Sequence, residues 1–234
     1  MMEDKKTLMV VAAHPDDPEF GAGGTVAKYV REGWRAVYVI CTNGDKGTPD
    51  PEMTSERLAV IREQEQKDAA KVLGVSEVVF LGHPDGWLVD GPEFRGELVR
   101  LIRKYRPELV ITHDPTRKYM GHHDHRITGQ VCMDAVFPYC RDHLFYPEHK
   151  AEGLTPFKVE EMYLTGAEEP NKFVEITGTF DLKMKAIACH VSQVGNRTGD
   201  WESWVKARRA QAEAMSKERG MPLSEAFHRI EIRR

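Results

Sequence analysis

The segment TLMVVAAHPDDPEFGAGGT, residues 7–25, begins as an apolar run and ends among polar residues and glycines. Residues 7–14 are nearly all apolar, which is typical of a parallel strand that is buried on both faces. The run ends in His14, and Asp16 and Asp17 follow at once. A buried strand with this ending predicts a metal or ligand site, unless the aspartates only form a turn and cap the next helix.

The rest of the first half alternates between strand and helix patterns. Short apolar runs, which predict buried strands, occupy residues 35–43, 77–82 and 108–114. Helical patterns lie between them, at residues 22–32, 54–73 and 93–106, and each ends at or before a glycine or proline. This alternation predicts βαβ units and an α/β fold with a doubly wound, mainly parallel sheet.

The second half is less regular. A helix is expected from about residue 124 to 136, followed by a long loop at 137–157 that we expect to lie near the site. Further strands are expected at 158–166 and 173–177, and further helices at 180–190 and 201–220. Because no repeat, linker or break in composition interrupts the chain, the sequence predicts a single domain over residues 1–234.

Composition excludes several classes of function. The formal net charge of -4 gives no basic field for nucleic acid, and no stretch approaches the ~18 apolar residues of a membrane span. The four cysteines are scattered without a CxxC pair, which favours reduced thiols and a cytoplasmic location. We therefore expect a small molecule as the partner, with a homo-oligomer as an open option.

A second polar cluster follows the strand at 108–114. That strand ends in His113 and Asp114, and the stretch HHDH covers residues 122–125. Ligands bind at the carboxyl ends of the strands in open α/β sheets, where the loops converge. Each cluster alone also fits a solvated loop, but together they favour a hydrolytic zinc site, which needs three protein ligands and a water. We predict His14, Asp17 and His125 as the ligands.

Neighbouring residues receive further roles. Asp16 is placed to take a proton from the reactive water, and His122 to stabilise the oxyanion or protonate the leaving group. Asp124 can fix the tautomer of a histidine.

Arg62, Asp114 and His190 are predicted to bind substrate. For Arg62 an internal ion pair with Glu65 is the alternative, and His190 fits equally well as a residue that ends a helix.

The glycines of GAGG, residues 21–24, raise another option. A dinucleotide loop of the form G-x-G-x-x-G would need glycine where the chain has Val26. A turn that cradles phosphate at Gly21–Gly24, in a nucleotide-sugar binder without hydrolytic activity, stays open. The sequence contains neither a Walker loop nor G-x-S-x-G.

Five blocks, in order, resemble the LmbE/PIG-L family of zinc-dependent deacetylases. They are AHPDDPEFGAGGT (13–25), TNGDKG (42–47), residues 62–86, HHDHR (122–126) and KMKAIACHVSQ (183–193). The resemblance implies a Rossmann-like three-layer sandwich and removal of acetyl from N-acetylglucosamine-type substrates. It places zinc on His14, Asp17 and His125, the general base on Asp16 and the oxyanion-stabilising histidine on His122.

One departure concerns the residue after Asp17. Many members of the family have glutamate there, whereas this chain has Pro18 followed by Glu19. Since Asp17 keeps its place, we expect metal binding to be preserved, while the role of Glu19 stays open.

These observations predict a zinc-dependent hydrolase that removes an N-acetyl group from an N-acetylglucosamine-type sugar or conjugate. An amidase that cleaves a larger sugar–thiol conjugate is the alternative within the same class. His and carboxylate ligands also suit Fe²⁺, so the identity of the metal stays open.

Overall fold

A computed structural model describes residues 5–119, 121–195, 200–217 and 219–232. The strands of this part are β1 (Thr7–Ala12), β2 (Arg35–Thr42), β3 (Glu77–His83), β4 (Leu109–His113), β5 (Glu161–Thr165), β6 (Lys172–Glu175) and β7 (Ser224–Glu231). The α-helices are α1 (Asp17–Arg31), α2 (Ser55–Leu73), α3 (Pro92–Tyr105), α4 (His123–Asp134), α5 (Phe180–Ala188), α6 (Val191–Val194) and α7 (Trp201–Lys217).

The strands form one sheet in the order β3-β2-β1-β4-β5-β7-β6. The first five of these pair in parallel, while β7 runs antiparallel to both β5 and β6. The prediction of an α/β fold with a mainly parallel sheet is therefore confirmed. Because β1 and β4 are neighbours, with Val10 opposite Ile111, the polar residues that follow them meet at one edge.

Helices cover both faces of the sheet. In β1, Leu8 and Val10 belong to one apolar core, to which α1, α2 and α5 contribute, while Met9 and Val11 belong to a second core with α3 and α4. Successive residues of a strand point to opposite faces, which explains why this run is continuously apolar. The arrangement is the expected three-layer sandwich.

The glycines of GAGG lie inside helix α1, which begins at Asp17 rather than at residue 22. A Cβ on Gly24 would lie 2.8 Å from the side chain of Ile176. The backbone N–H groups of Gly24 and Thr25 donate to the carboxylate of Glu225 on β7. The option of a phosphate-binding turn at Gly21–Gly24 is therefore wrong, since this segment is a helical packing surface.

The segment 137–157 does not lie near the site. Helix α4 starts at the carboxyl edge of the sheet and leads away from it, so this segment begins at the opposite edge. Arg103, in the last turn of α3, donates to backbone carbonyls of the segment, including those of Tyr139 and Phe145. The segment that was expected near the site thus packs against α3.

No helix in the described ranges is both long enough and apolar enough to cross a membrane.

Candidate metal centre

The polar side chains that follow β1 and β4 converge at the carboxyl edge of the sheet. Nδ1 of His14 lies 3.2 Å from Oδ2 of Asp17 and 3.3 Å from Nε2 of His125. Oδ1 of Asp17 lies 3.2 Å from the same nitrogen of His125. Two imidazoles and one carboxylate thus direct ligand atoms at one another, a mixed nitrogen and oxygen donor set that fits a divalent transition metal. The structure brings together all three predicted ligands.

Two further histidines border this group. Nε2 of His113 lies 3.4 Å from Oδ2 of Asp17, and its ring stacks on that of His125 at 4.0 Å between centroids. The ligand atoms of Asp17, His113 and His125 lie within 4.8 Å of one another, as do those of His14, His122 and His125. The site therefore offers one or two more imidazoles than the predicted set of three ligands.

Two carboxylates support the outer nitrogen of His14. Nε2 of this ring lies 3.2 Å from Oδ2 of Asp124 and 3.0 Å from Oδ1 of Asp85. A proton on Nε2 satisfies these acceptors and leaves the lone pair of Nδ1 directed at the donor cluster. Burial disfavours the imidazolium, but the hydrogen bonds with Asp124, Asp17 and Asp85 outweigh it and raise the pKa of His14 to about 11. The three carboxylates around His14 thus favour positive charge at its ring.

Asp124 is completely buried in the first turn of α4. Its Oδ2 accepts a hydrogen bond from the N–H of Gly86 at 2.6 Å, and its Oδ1 accepts one from the N–H of Leu88 at 3.2 Å. Burial opposes ionisation of this carboxyl, yet the hydrogen bonds with His14, Gly86 and Leu88 lower its pKa to about 2. Asp124 thus lies where the predicted support of a histidine tautomer requires it.

The adjacent carboxylates of Asp16 and Asp17 differ in their surroundings. Burial raises the pKa of Asp16 to about 7, and the charge of Asp17 adds to this effect against the opposing charges of Arg62, His190 and His14. For Asp17, burial is outweighed by His113, His125 and His14, which hold the pKa well below its usual range. Near neutral pH one carboxylate stays ionised beside the imidazoles, and the other is suited to exchange a proton.

His122 is the N-cap residue of α4 and is exposed to solvent. Its Nδ1 accepts a hydrogen bond from the N–H of Asp124 at 3.2 Å, which places the ring proton of the neutral form on Nε2. Burial, followed by the charges of His14 and His125, lowers the pKa of His122. Its ring stands edge-on to that of His14 at 4.5 Å.

An open cleft of about 320 Å³ leads to these groups from solvent. Among its lining residues are Asp17, His113, Asp114, His122 and His125. Of the three residues predicted to bind substrate, only Asp114 lies in this cleft, where its Oδ1 accepts hydrogen bonds from the N–H and hydroxyl of Thr116.

The other two residues predicted to bind substrate are held by internal contacts. His190 is completely buried and lies 3.1 Å from a carboxylate oxygen of Glu19. Arg62 is 4% exposed and donates to the backbone carbonyls of Gly44 and Pro15. The alternative pair of Arg62 with Glu65 is not formed either, because Glu65 accepts hydrogen bonds from Ser192.

Sequence reasoning missed Asp85 and gave His113 no role. Residues 83–85 repeat the tripeptide His-Pro-Asp of residues 14–16, and both tripeptides lie at the carboxyl end of a strand. This repeat is the signal that points to Asp85.

The sequence profile of the family described as "PIG-L: GlcNAc-PI de-N-acetylase" matches residues 9–136. A diacetylchitobiose deacetylase from Thermococcus kodakarensis is 35% identical over 201 residues, which cover 86% of this chain and 74% of that protein. A mycothiol S-conjugate amidase from Streptomyces coelicolor is 35% identical over 181 residues, covering 68% of this chain and 61% of the amidase.

A solved structure shares the fold. The N,N'-diacetylchitobiose deacetylase from Pyrococcus horikoshii superposes with a TM-score of 0.89 and 32% identity, over 97% of this chain and 85% of that one.

Proposed function

Since the chain belongs to the PIG-L family of de-N-acetylases, which are amide hydrolases, we propose that it is a metal-dependent enzyme that removes the acetyl group from an N-acetylglucosamine-type sugar or conjugate. The observation that carries this proposal is the convergence of the donor atoms of His14, Asp17 and His125. Asp16 adjoins Asp17 in the chain and belongs to none of the groups whose donor atoms lie within 4.8 Å of one another. We place the reaction in the cytoplasm, in keeping with four free cysteines. We assign it to a single domain.

His14, Asp17 and His125 are the residues that would hold the ion, with Zn²⁺ as the expected metal and Fe²⁺ as an alternative for the same donors. When bound, such an ion polarises the amide carbonyl and lowers the pKa of a nearby water. Asp85 and Asp124 keep the proton of His14 on Nε2, so that Nδ1 is available as a ligand.

Asp16 and His122 are the residues that handle protons during the reaction. Asp16 accepts the proton of the attacking water, because its carboxylate lies beside the ligands and is not itself one of them. The neutral His122 carries its proton on Nε2 and donates a hydrogen bond from that nitrogen to the developing oxyanion. Asp16, which has taken the water proton, then protonates the departing amine. The alternative, in which His122 supplies this proton, requires the imidazolium form of that residue.

The cleft supplies the place for the sugar. It opens beside His122 and His125, and Asp114 in its wall can accept hydrogen bonds from sugar hydroxyl groups. A second candidate is cleavage of a larger sugar–thiol conjugate, which the similarity to the amidase favours. Both reactions break an amide bond of an amino sugar and need the same groups.

The test is an assay for released amine on diacetylchitobiose and N-acetylglucosamine, before and after chelation and with metal restored. The Asp16→Asn variant should keep its metal and lose about 100- to 10,000-fold in kcat, because the general base is gone. Asp50→Asn, in an exposed loop, is the matched control and should behave like wild type.

Other outcomes separate the alternatives. Turnover of a sugar–thiol conjugate without turnover of acetylated sugars would select the second candidate. Full activity of Asp16→Asn, or activity that survives complete removal of metal, would overturn the proposal.

A further inference from the structure

Helix α2 holds both ends of the peptide group between Pro15 and Asp16. The guanidinium of Arg62 donates from its NH2 group to the carbonyl oxygen of Pro15 at 2.5 Å. The N–H of Asp16, in the same peptide group, donates to Oε1 of Gln66 at 2.9 Å. Arg62 and Gln66 are four residues apart, so they extend from the same face of the helix. Both side chains are buried.

The peptide group held in this way precedes a residue with an uncommon backbone. Asp16 has φ of 93° and ψ of -32°, a region that residues other than glycine rarely adopt. An aspartate that precedes a helix usually has an extended backbone and caps the helix with its carboxylate. Asp16 occupies the N-cap position of α1, but its side chain makes no capping hydrogen bond. Its backbone therefore keeps the carboxylate out of the helix and beside the metal ligands.

A buried chain of hydrogen bonds fixes the orientation of Gln66. Its Nε2 donates to Oε1 of Glu19 at 3.0 Å, and Oε2 of Glu19 accepts a hydrogen bond from Nε2 of His190 at 3.1 Å. All three side chains are completely buried. If the Gln66 amide were flipped, its NH2 group would face the N–H of Asp16 and its oxygen would face the carboxylate of Glu19. The hydrogen bonds therefore permit only one orientation of this amide.

Arg62 is anchored in a comparable way. Its NH1 group donates to the carbonyl oxygen of Gly44 at 2.9 Å, while its NH2 group lies 3.5 Å from Oδ1 of Asp16. One guanidinium thus holds the carbonyl end of the peptide group and lies against the carboxylate that follows it.

We propose that Arg62 and Gln66 are positioning residues that clamp the Pro15–Asp16 peptide group and so hold Asp16 in its left-handed conformation, with Glu19 and His190 orienting Gln66. The inference rests on the proposed role of Asp16 as general base. It assigns a catalytic consequence to the completely buried Gln66, and it gives Glu19 a function.

The first test is Gln66→Met, which keeps the length of the side chain and removes the acceptor. We expect unchanged metal content, KM within about twofold of wild type, and kcat lower by about 10- to 100-fold, since misplacement of a catalytic group acts on the transition state. Arg62→Met should likewise lower kcat and leave KM nearly unchanged. If Arg62 acted mainly by binding substrate, its replacement would mainly raise KM.

Two control variants separate positioning from general damage to α2. Gln64→Met alters an exposed glutamine of the same helix and should leave all parameters unchanged. Leu73→Ala removes a buried side chain from the far end of α2, so it should lower Tm and leave kcat per bound metal unchanged. Loss of kcat in Leu73→Ala equal to that in Gln66→Met would overturn the inference.

A rescue experiment tests the chain of hydrogen bonds itself. Gln66→Glu alone faces the carboxylate of Glu19 with a second buried carboxylate and should lose activity. The double variant Q66E/E19Q exchanges acid and amide and can restore every bond, because the new amide donates to residue 66 and accepts from His190. We expect kcat of the double variant to exceed that of Q66E by about tenfold or more. Equal kcat in the two variants would contradict the clamp.

A crystal structure of Gln66→Met gives a readout that does not depend on activity. The φ angle of Asp16 should leave the left-handed region, and an unchanged φ would refute the inference even if kcat falls. If wild-type protein releases no amine from any amino sugar, the proposed function fails, while this angle still decides whether the clamp exists.

Discussion

Asp124→Asn tests the candidate metal centre directly, because Asp124 lies 3.2 Å from Nε2 of the predicted ligand His14 and is not itself in the predicted ligand set. Its carboxylate faces three donors, which are the N–H groups of Gly86 and Leu88 and Nε2 of His14. An asparagine of the same shape has one oxygen, so its NH2 group must face at least one of these donors. Leaving a buried N–H without an acceptor costs about 1–3 kcal/mol in stability.

The effect on metal binding follows from the loss of support for His14. Substitution of residues that orient metal ligands weakens metal affinity by about 10- to 100-fold, which corresponds to about 1.4–2.7 kcal/mol. Asp85 still faces Nε2 of His14, so we expect weakened binding and not complete loss. Activity measured at saturating metal should fall less than activity at limiting metal.

The assay is competition for Zn²⁺ between the protein and a chromophoric chelator of known affinity, combined with denaturant unfolding of the metal-free protein. Asp134→Asn, at the far end of the same helix, is the matched control and should leave the metal Kd unchanged. A metal Kd in Asp124→Asn equal to that of wild type, in protein that folds normally, would refute the assignment of Asp124 as the support of His14.

Three other substitutions test separate parts of the structure. His125→Ala should lose the bound metal, measured by elemental analysis, because a predicted ligand is removed; full occupancy would break the ligand assignment. Gly44→Ala places a Cβ 2.7 Å from NH1 of Arg62, at a backbone φ of 63°. This should displace the guanidinium and lower kcat by about tenfold with KM unchanged. A kcat equal to that of wild type would show that the position of the Arg62 guanidinium does not affect catalysis. Glu225→Leu removes the carboxylate partner of the partly buried Lys183 and the acceptor of the N–H groups of Gly24 and Thr25. It should destabilise the protein by about 3 kcal/mol in urea unfolding, and an unchanged midpoint would contradict this.

The parallel part of the fold could be predicted because its strands read as short, nearly continuous apolar runs. The inner strands β1, β2 and β4 are buried on both faces, and the half-buried edge strand β3 is also largely apolar in sequence. Strand β7 was missed, since Ser224–Glu231 mixes apolar and charged residues and its burial alternates irregularly. Glu225 in this strand is buried by its contacts with α1 and Lys183, which lie far away in sequence. A charge that is satisfied by tertiary partners gives no local signal of a strand.

At the site, too, local sequence patterns could be read, whereas contacts between residues distant in sequence could not. His14, Asp17 and His125, the predicted ligands, could be singled out from local sequence. His14 and Asp17 follow β1 closely, and His125 lies in the first turn of the helix that comes after the neighbouring strand β4. Arg62 was assigned to substrate, since sequence shows its charge and helix face but not that backbone carbonyls occupy its guanidinium. His190 was assigned there from its place in a late block, whereas its burial against Glu19 depends on how α1 and α5 pack. Contacts to backbone groups and between distant helices decide these roles.

Pro18 connects the departure of this chain from its relatives with the conformation of Asp16. The carboxylate of an N-cap aspartate normally accepts from the second or third N–H of its helix. In α1 the second residue is Pro18, which has no N–H, and the N–H of Glu19 already donates to the carbonyl oxygen of Asp16 at 3.1 Å. The carboxylate of Asp16 therefore has no free N–H to cap at the second or third position of α1. The clamp formed by Arg62 and Gln66 does not have to compete with an N-cap hydrogen bond.

Pro18→Ala restores the missing donor and shows which restraint dominates. In the wild-type background the clamp still fixes the backbone, so kcat should change by less than about twofold. Combined with Gln66→Met, the new N–H can capture the carboxylate, and a capping bond of about 1 kcal/mol should lower kcat by a further factor of about five. Additive effects of the two substitutions on kcat would mean that Pro18 and Gln66 act independently, and would contradict the idea that the clamp opposes capping by Asp16.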